Sequence, residues 1–303
     1  MPEATFLRRL AQGPALLLDG GLASELERRG VVLEDRLWSS APLLTAPHLI
    51  SDVHTAYVVA GCEICTTATY QASSQALLNV GLSDGEARRV LVGSVGLARS
   101  AGARFVAGSL GPYGATLPGG REYLGDYELP PGSYKDFHRW RMQALHAGGV
   151  DVIAAETLPR VDEAVAMAEL ADELHIPLWL SFTLRDESTL AGGEDLAAAG
   201  KLAEKYRSVV AVGVNCVAPT WVEGALATLR EHTHKPLVAY PNLGERWDDA
   251  KRQWVPAAGQ GLHAELLPRW LKLGARVIGG CCRTGPPELA AMASALRRAE
   301  APS

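Results

Sequence analysis

Eight short apolar segments recur along the chain, most of them separated by helical patterns, and this alternation constrains the fold more than any other feature. Their hydrophobicity is continuous, which is typical of strands that are buried on both faces of a parallel sheet. The predicted strands are Ala15–Asp19, Cys62–Thr66, Phe105–Ser109, Asp151–Glu156, Leu178–Thr183, Val209–Asn215, Leu237–Tyr240 and Arg276–Gly280.

Strands that alternate with helices over 303 residues predict an α/β fold of the (β/α)₈ TIM-barrel type, in one domain spanning residues 1–303. Such a barrel needs about 250 residues, and no Pro- or Ser-rich linker divides the chain. Capping boxes are predicted at Ser83-x-x-Glu86 and Ser133-x-x-Asp136, where helices would begin. A doubly wound sheet is the alternative, but it would require a GxGxxG phosphate loop that LLLDGGLAS lacks.

Composition and charge exclude several classes of protein. The chain is 48% hydrophobic and 21% charged, with a net charge of -5, which argues against a disordered chain and against a nucleic-acid partner. The longest charge-free stretch, Ile64–Ser83, is too polar to span a membrane, and no cleavage site follows the N-terminal apolar run. We therefore expect a cytoplasmic protein with small-molecule partners, whose oligomeric state has no signature in the sequence.

Polar residues follow the predicted strands at their C-terminal ends, where barrel enzymes carry their chemistry. A barrel would place these residues around one rim: Asp19, Glu156, Asn215, Cys216, Tyr240, Asn242, Cys281 and Cys282.

Three of the five cysteines lie on this predicted rim. Adjacent residues of a strand face opposite ways, so Cys281 and Cys282 can share a metal only if the backbone leaves strand geometry, which Gly279-Gly280 permits. With Cys216 they would form a Cys₃ site with one open position, an arrangement that suits catalytic zinc. The alternative is three small buried side chains.

The remaining cysteines form a CxxC sequence, Cys62 and Cys65, within the second predicted strand. Residues i and i+3 of a strand face opposite ways, so we expect these thiols to lie apart in the core rather than to bind metal.

Over nearly its whole length the chain resembles the homocysteine S-methyltransferase family. The resemblance is carried by LLLDGGLASELERRG, by the stretch from LWSSAPLL to TTATYQAS, and by GSLGPYGA, GREYLGDY, AETLP, GVNC, YPNLGE and GARVIGGCCRTGP. It implies a zinc-binding (β/α)₈ barrel that transfers a methyl group to the sulfur of homocysteine and forms methionine. Matched position by position, it implies that Cys216, Cys281 and Cys282 are the zinc ligands.

The amino and carboxylate groups of homocysteine need partners as well. The resemblance assigns the ammonium to Asp19 and Glu156, and a carboxylate ending the apolar strand VIAAE is costly without a charged partner. Asp19 has the alternative of capping the next helix, whose first N–H groups, at Gly20 and Gly21, are candidates for the substrate carboxylate. Thr157 is a further candidate contact, with a purely backbone role as its alternative.

Asn215 and Asn242 adjoin the predicted metal site and the pocket, with turn formation as their alternative role. Tyr240 and Glu245 belong to the same YPNLGE segment as Asn242.

A methyl donor for this chemistry is an onium compound, namely S-methylmethionine, S-adenosylmethionine or betaine, and aromatic faces attract such cations. The segment from Pro112 to Gly132 is predicted to form a lid over the rim. The candidate donor contacts are Trp38, Tyr70, Tyr123, Tyr127 and Asn242.

The resemblance favours a sulfonium donor, S-methylmethionine or S-adenosylmethionine. The alternatives are a betaine- or corrinoid-protein-dependent homocysteine methyltransferase, a phosphate-handling barrel enzyme, or a redox or metal-storage protein. Pro286 and Pro287 argue against the phosphate-handling enzyme because they lack N–H donors where the last helix begins. A storage protein would have no use for Asp19 and Glu156.

Overall fold

The computed structural model describes residues 2–33, 37–130, 132–244, 246–248, 253–255, 260–261 and 263–299. Eight parallel strands form one sheet, and each of them overlaps one of the eight predicted strand segments. They are β1 (Leu16–Leu17), β2 (Ile64–Thr66), β3 (Phe105–Leu110), β4 (Val152–Leu158), β5 (Leu178–Phe182), β6 (Val209–Asn215), β7 (Leu237–Tyr240) and β8 (Ala275–Ile278).

The sheet curves into a barrel. Its strand order is β1-β8-β7-β6-β5-β4-β3-β2, and a parallel bridge between Leu18 and Ile64 joins the two end strands. The prediction of a (β/α)₈ TIM barrel is therefore confirmed, and the doubly wound alternative, an open sheet, is wrong.

Helices connect the strands and surround the barrel. They are α1 (Pro2–Ala11), α2 (Leu22–Arg28), α3 (Pro42–Thr45), α4 (Pro47–Ala60), α5 (Ser74–Asn79), α6 (Asp84–Ser100), α7 (Ser133–Ala147), α8 (Val161–Leu174), α9 (Ala197–Lys205), α10 (Val222–Arg230), α11 (His263–Lys272) and α12 (Pro286–Ala299). Short 3₁₀ helices cover Trp38–Ser40, Tyr113–Thr116, Arg121–Tyr123 and Pro219–Trp221, and Arg246–Asp248 pairs with Gln253–Val255 in an antiparallel hairpin.

The strands are mostly apolar because both of their faces are buried. Leu16 and Leu18 belong to the cluster that fills the barrel, whereas Leu17, between them, packs in the layer under the helices. Helix α1 contributes to the inner cluster, where Phe6 contacts Phe105 edge-on with ring centroids 5.4 Å apart.

The two predicted capping boxes have different outcomes. The Ser83 hydroxyl accepts from the N–H of Glu86, whose carboxylate accepts from the N–H of Ser83, as predicted. The prediction at Ser133 is wrong, because Ser133 is the first residue of α7 and Gly132, with φ of 85°, is the capping residue. Sequence spacing alone does not distinguish a capping residue from the first helical one. Here the helix begins one residue earlier than predicted, after a glycine that can adopt a positive φ.

The segment between β3 and α7 is the long connection predicted as a lid. The Tyr113 N–H donates to the Glu163 carboxylate over 2.6 Å, and Arg160 donates to the Gly125 carbonyl, so this segment is attached to β4 and α8. Among the helices that the structure describes, none is both long and apolar enough to cross a membrane.

Candidate functional site

An inner cavity of about 100 Å³ lies at the C-terminal ends of the barrel strands. Strand ends or the residues just after them supply most of its polar lining, as the barrel topology predicts. The polar groups that line it include Asp19, Thr66, Tyr70, Ser109, Glu156, Thr157, Asn215, Tyr240, Cys216, Cys281 and Cys282.

The three cysteines predicted as metal ligands come together in this cavity. Their sulfur atoms all lie within 4.8 Å of one another. The Cys216 sulfur is 2.7 Å from that of Cys281 and 3.5 Å from that of Cys282. Close contact affects their acidity, since interactions with the thiols of Cys216 and Cys281 lower the pKa of Cys282 well below its ordinary value. The three sulfurs are therefore close enough together to bind a single metal ion.

The backbone leaves strand geometry where these cysteines lie. Strand β8 ends at Ile278, so Cys281 and Cys282 follow a non-strand segment, and Cys216 has a φ of 53° just after β6. Gly280 is needed in this turn because a Cβ there would overlap the Thr284 side chain. These departures let neighbouring cysteines point toward one place.

Asp19 lies just after β1 and is 3% exposed. Its carboxylate accepts from the Thr66 N–H over 2.8 Å and from the Thr66 hydroxyl over 3.1 Å. Burial raises the pKa of Asp19 well above its ordinary value, Glu156 raises it further, and the bonds from Thr66 oppose this shift. Gly21 is the capping residue of α2, so the N-cap alternative for Asp19 is wrong.

Glu156 faces the same cavity from β4. The Ser109 hydroxyl donates to its carboxylate. Burial raises the pKa of Glu156 to about 7, against the opposing effect of hydrogen bonds with Ser109 and Tyr240. No described Lys, Arg or His forms an ion pair with Asp19 or Glu156, so the cavity has two carboxyl groups and lacks a described cation to balance them.

Thr157 and Asn215 form a reciprocal pair between β4 and β6. The Thr157 N–H donates to the Asn215 amide oxygen, and the Asn215 amide nitrogen donates to the Thr157 hydroxyl, both over 2.8 Å. The same amide nitrogen lies 3.9 Å from the Cys281 sulfur. Asn215 therefore connects the carboxylate side of the cavity to the thiol cluster, and Thr157 bonds through its side chain as well as its backbone.

Gly20 and Gly21 also line the inner cavity. A Cβ at Gly20 would overlap the Thr284 carbonyl, which explains the glycine. The Gly21 N–H donates to that carbonyl over 2.9 Å. The predicted role of Gly21 as an N–H donor to a substrate carboxylate is therefore corrected, because a backbone carbonyl already occupies that donor.

An outer cleft of about 1410 Å³ opens beside the inner cavity. Trp38, Tyr123, Cys216 and Cys282 line both spaces, so the thiol cluster lies on the wall between them. The other walls come mainly from α5 and from residues 113–123 of the lid.

Four of the five predicted donor contacts line at least one of the two spaces. Tyr70 lines the inner cavity, Asn242 lines the outer cleft, and Trp38 and Tyr123 line both. The Tyr123 hydroxyl is 3.6 Å from the Cys216 sulfur. Trp38 has a φ of 40°, an unusual conformation for a bulky residue that is often associated with functional sites.

Tyr127 lies elsewhere, which corrects its prediction as a donor contact. It is a buried residue of the lid itself, lines neither space and donates from its hydroxyl to the Glu163 carboxylate over 2.6 Å. A sequence pattern does not distinguish an aromatic residue that faces a cleft from one that anchors the loop beside it. Glu245, noted with Tyr240 in the same motif, lies outside the described residues.

Three side chains of the site were missed from the sequence. Thr66 holds Asp19, Ser109 holds Glu156, and Glu122 lines the outer cleft. Burial raises the pKa of Glu122 to about 7. Thr66 and Ser109 end strands of the barrel, so their positions were a usable signal, whereas Glu122 lies in a loop.

The CxxC pair lies in the core, as predicted, but its geometry differs from the prediction. The sulfur atoms of Cys62 and Cys65 are 3.7 Å apart, and both residues are buried. The alternation argument failed because β2 begins only at Ile64, so Cys62 does not have strand geometry.

The molecule is a parallel (β/α)₈ barrel with buried carboxylates and clustered thiols at the C-terminal ends of its strands. This is where TIM-barrel enzymes have their active sites, so the class of protein is a TIM-barrel enzyme. The family model described as "Homocysteine S-methyltransferase" matches residues 16–296. The chain belongs to the homocysteine S-methyltransferase family, whose members are methyltransferase enzymes.

Relatives support this assignment over most of the chain. Homocysteine S-methyltransferase 3 of Zea mays is 42% identical over 93% of this chain and 90% of its own length. Homocysteine S-methyltransferase of Escherichia coli is 43% identical over 91% of this chain and 94% of its own. The metallated form of the homocysteine methyltransferase MmuM from Escherichia coli superposes with a TM-score of 0.85 at 40% identity, covering 97% of this chain and 99% of that one.

Proposed function

We propose that this protein transfers a methyl group from an onium donor to the thiol of L-homocysteine and forms methionine, with zinc as its metal and S-methylmethionine or S-adenosylmethionine as the favoured donor. One observation carries the proposal. Three cysteine sulfurs converge on the wall shared by two spaces, and one of these spaces contains the buried carboxylates that the ammonium of an amino acid needs.

The residues fit zinc. Cys216, Cys281 and Cys282 are sulfur donors with no competing hard oxygen ligand in the described cluster, and a Cys₃ set leaves one position for a substrate. When bound, zinc would keep a coordinated substrate thiol deprotonated at neutral pH. A solved relative is described as metallated, which supports a metal at the equivalent place.

The inner cavity would hold homocysteine. Asp19 and Glu156 accept the substrate ammonium, whose charge balances theirs and restores their ionised forms. Thr66 and Ser109 orient these carboxylates. The Thr157–Asn215 pair holds the wall next to Cys281. Gly20 lines the same cavity, and its N–H would donate to the substrate carboxylate.

The outer cleft would hold the donor. Because Cys216 and Cys282 line both spaces, a homocysteine sulfur at the thiol cluster would meet a methyl group that arrives from the opposite side. Tyr70 supplies an aromatic face from the inner cavity, and Trp38 and Tyr123 supply aromatic faces to the cleft itself. Such faces stabilise a desolvated cation by about 2 kcal/mol or more. Asn242 adds a polar contact on the same side.

Alignment accounts for more of the expected acceleration than deprotonation does. A thiol with a pKa of ~8.5 is mostly protonated at neutral pH. Lowering its pKa by roughly 1.5 units to neutrality corresponds to ~2 kcal/mol. Well-oriented reacting pairs gain about 7–11 kcal/mol from alignment. The two facing spaces would supply that alignment for an in-line displacement.

The test is a methyl-transfer assay on zinc-loaded protein with homocysteine and, in separate reactions, S-methylmethionine, S-adenosylmethionine and betaine. Methionine is measured by mass spectrometry, and bound metal by elemental analysis. We expect methionine from at least one sulfonium, and loss of that product after chelation, with recovery on adding zinc. A protein that binds zinc but forms no methionine from any of the three donors would refute the proposed reaction and direct the search to a corrinoid-protein donor.

A further inference from the structure

The outer cleft has an unusual balance of polar groups. Glu122 is its one charged residue among the described lining, which contains no Lys, Arg or His. Glu122 is only 7% exposed, although a carboxylate is rarely buried to this extent without a partner. No described Lys, Arg or His forms an ion pair with it.

Arg121, the cation next to Glu122 in the lid, does not pair with it. Glu122 lies in the 3₁₀ helix Arg121–Tyr123, next to Arg121. The guanidinium of Arg121 pairs instead with Asp126, and both of these side chains are substantially exposed. The carboxylate that faces the cleft is therefore left for a cation that the described lining does not provide.

Two neutral acceptors line the same cleft. The amide oxygens of Gln71 and Asn242 are buried and have no hydrogen-bond partner within the described part of the chain. Gln71 uses its amide nitrogen to donate to the Ala115 carbonyl over 3.0 Å, which fixes the orientation of the side chain. Buried acceptors without a hydrogen-bond donor destabilise the folded state, so a ligand that supplies N–H groups would relieve that cost.

We propose that Glu122, with the amide oxygens of Gln71 and Asn242, forms a binding subsite for the α-ammonium group of the methyl donor. The inference rests on the proposed function and adds the chemical class of the donor. An ammonium group has three N–H donors and no acceptor, which matches one carboxylate and two amide oxygens. In an amino-acid sulfonium, this ammonium lies three carbons from the sulfur that carries the methyl group.

The subsite selects among the onium donors. A quaternary ammonium acid such as betaine has no N–H group, so it leaves the Glu122 carboxylate and the amide oxygens without a hydrogen-bond donor. S-Methylmethionine and S-adenosylmethionine both carry the ammonium group. Glu122 therefore acts as a specificity-determining residue for sulfonium amino acids and against betaine.

The test is Glu122→Gln, which keeps the size of the side chain and removes its charge. We expect KM for the sulfonium amino acid that the wild-type protein uses to rise about tenfold or more, with KM for homocysteine and the metal content unchanged. The matched control is Glu128→Gln, the same substitution at an exposed lid glutamate outside both spaces, which should leave both KM values unchanged. Thermal unfolding of each variant checks the fold.

A donor probe isolates the ammonium. A dimethylsulfonium carboxylic acid with the same carbon chain but no amino group should be a poor donor for the wild-type protein, and Glu122→Gln should not weaken it further. Equal losses for this probe and for S-methylmethionine would overturn the ammonium assignment, as would efficient use of betaine by the wild-type protein.

The inference and the proposed function fail in different ways. If the wild-type protein forms no methionine from any donor, the proposed reaction is wrong. If it is active and the Glu122→Gln variant keeps its donor KM within about twofold, the reaction stands and the Glu122 subsite is refuted.

Discussion

The inner cavity and the outer cleft lie on opposite sides of one thiol cluster, but they are built from different parts of the fold. Strand ends of the barrel carry most of the polar groups of the inner cavity, so their relative positions follow from the hydrogen-bonded register of the sheet. The walls of the outer cleft come largely from α5 and the lid segment. The cavity is small and the cleft is large, at about 100 Å³ and 1410 Å³.

This difference shows where a barrel of this kind can vary. The register between β3 and β4, and between β6 and β7, sets the places of Ser109 and Asn215, so a change of acceptor would require changes in the sheet. The lid can change its polar groups without affecting strand pairing. We infer that the inner cavity is the more constrained half of the site, because its polar groups depend on strand register, and that the lid side can change more freely.

The largest expected effect is at the wall shared by the two spaces. Cys216→Ser should remove most bound metal and reduce methionine formation by about 100-fold or more, because a hydroxyl is a poor substitute for a thiolate ligand. Elemental analysis and the methyl-transfer assay measure both. Cys62→Ser is the matched control, since that thiol lies outside the cluster, and it should retain metal and activity. Full metal content in Cys216→Ser would remove this residue from the ligand set.

The next effect concerns the inner cavity alone. Glu156→Ala should raise KM for homocysteine by about 10- to 100-fold while metal content and donor KM stay unchanged, because one of two ammonium acceptors is lost. Steady-state kinetics with each substrate varied in turn separates these effects. A variant that lost its metal as well would indicate a general disruption of the site rather than a role in ammonium binding.

A smaller effect is expected in the outer cleft. Trp38→Ala should raise the donor KM by about 10- to 30-fold, as expected for the loss of ~2 kcal/mol of cation–π stabilisation, with homocysteine KM little changed. Trp140→Ala is the control, because Trp140 packs against Arg88, donates to Asp84 and lines neither space. An unchanged donor KM in Trp38→Ala would assign this side chain to packing.

The smallest effect is on stability. The folded pKa of Glu156 is about 7, above its ordinary 4.5, so its contribution to stability is fully present below about pH 4.5 and is lost as the pH rises through 7. Glu156→Gln should therefore raise the Tm of the substrate-free protein by about 2–4 °C at pH ~8, and this gain should vanish near pH ~5. Calorimetry at the two pH values measures it. A gain that is equal at both values would show that ionisation of Glu156 is not its cause.

The sequence predicted the barrel well because burial on both faces of a strand produces an unbroken apolar run that turns and helices rarely imitate. It also predicted the residues of the inner cavity, since a polar residue at the end of such a run stands out. The prediction was weaker for Gly21, where the competing Thr284 carbonyl is 263 positions away along the chain. It failed for Tyr127 and overlooked Glu122, two residues of the same lid that face different surroundings.

By itself, the sequence determined the period and order of the strands, the residue types at their ends and the resemblance carried by its cysteine motifs. Those properties are local, because alternation, burial and turn chemistry act over a few neighbouring residues. Only the tertiary structure decided that three sulfurs meet within 4.8 Å, that Asp19 and Glu156 share a cavity, and that Arg121 turns from Glu122 toward Asp126. These facts depend on the closure of the barrel and the path of the lid, which bring distant residues together and set which charge remains without a partner.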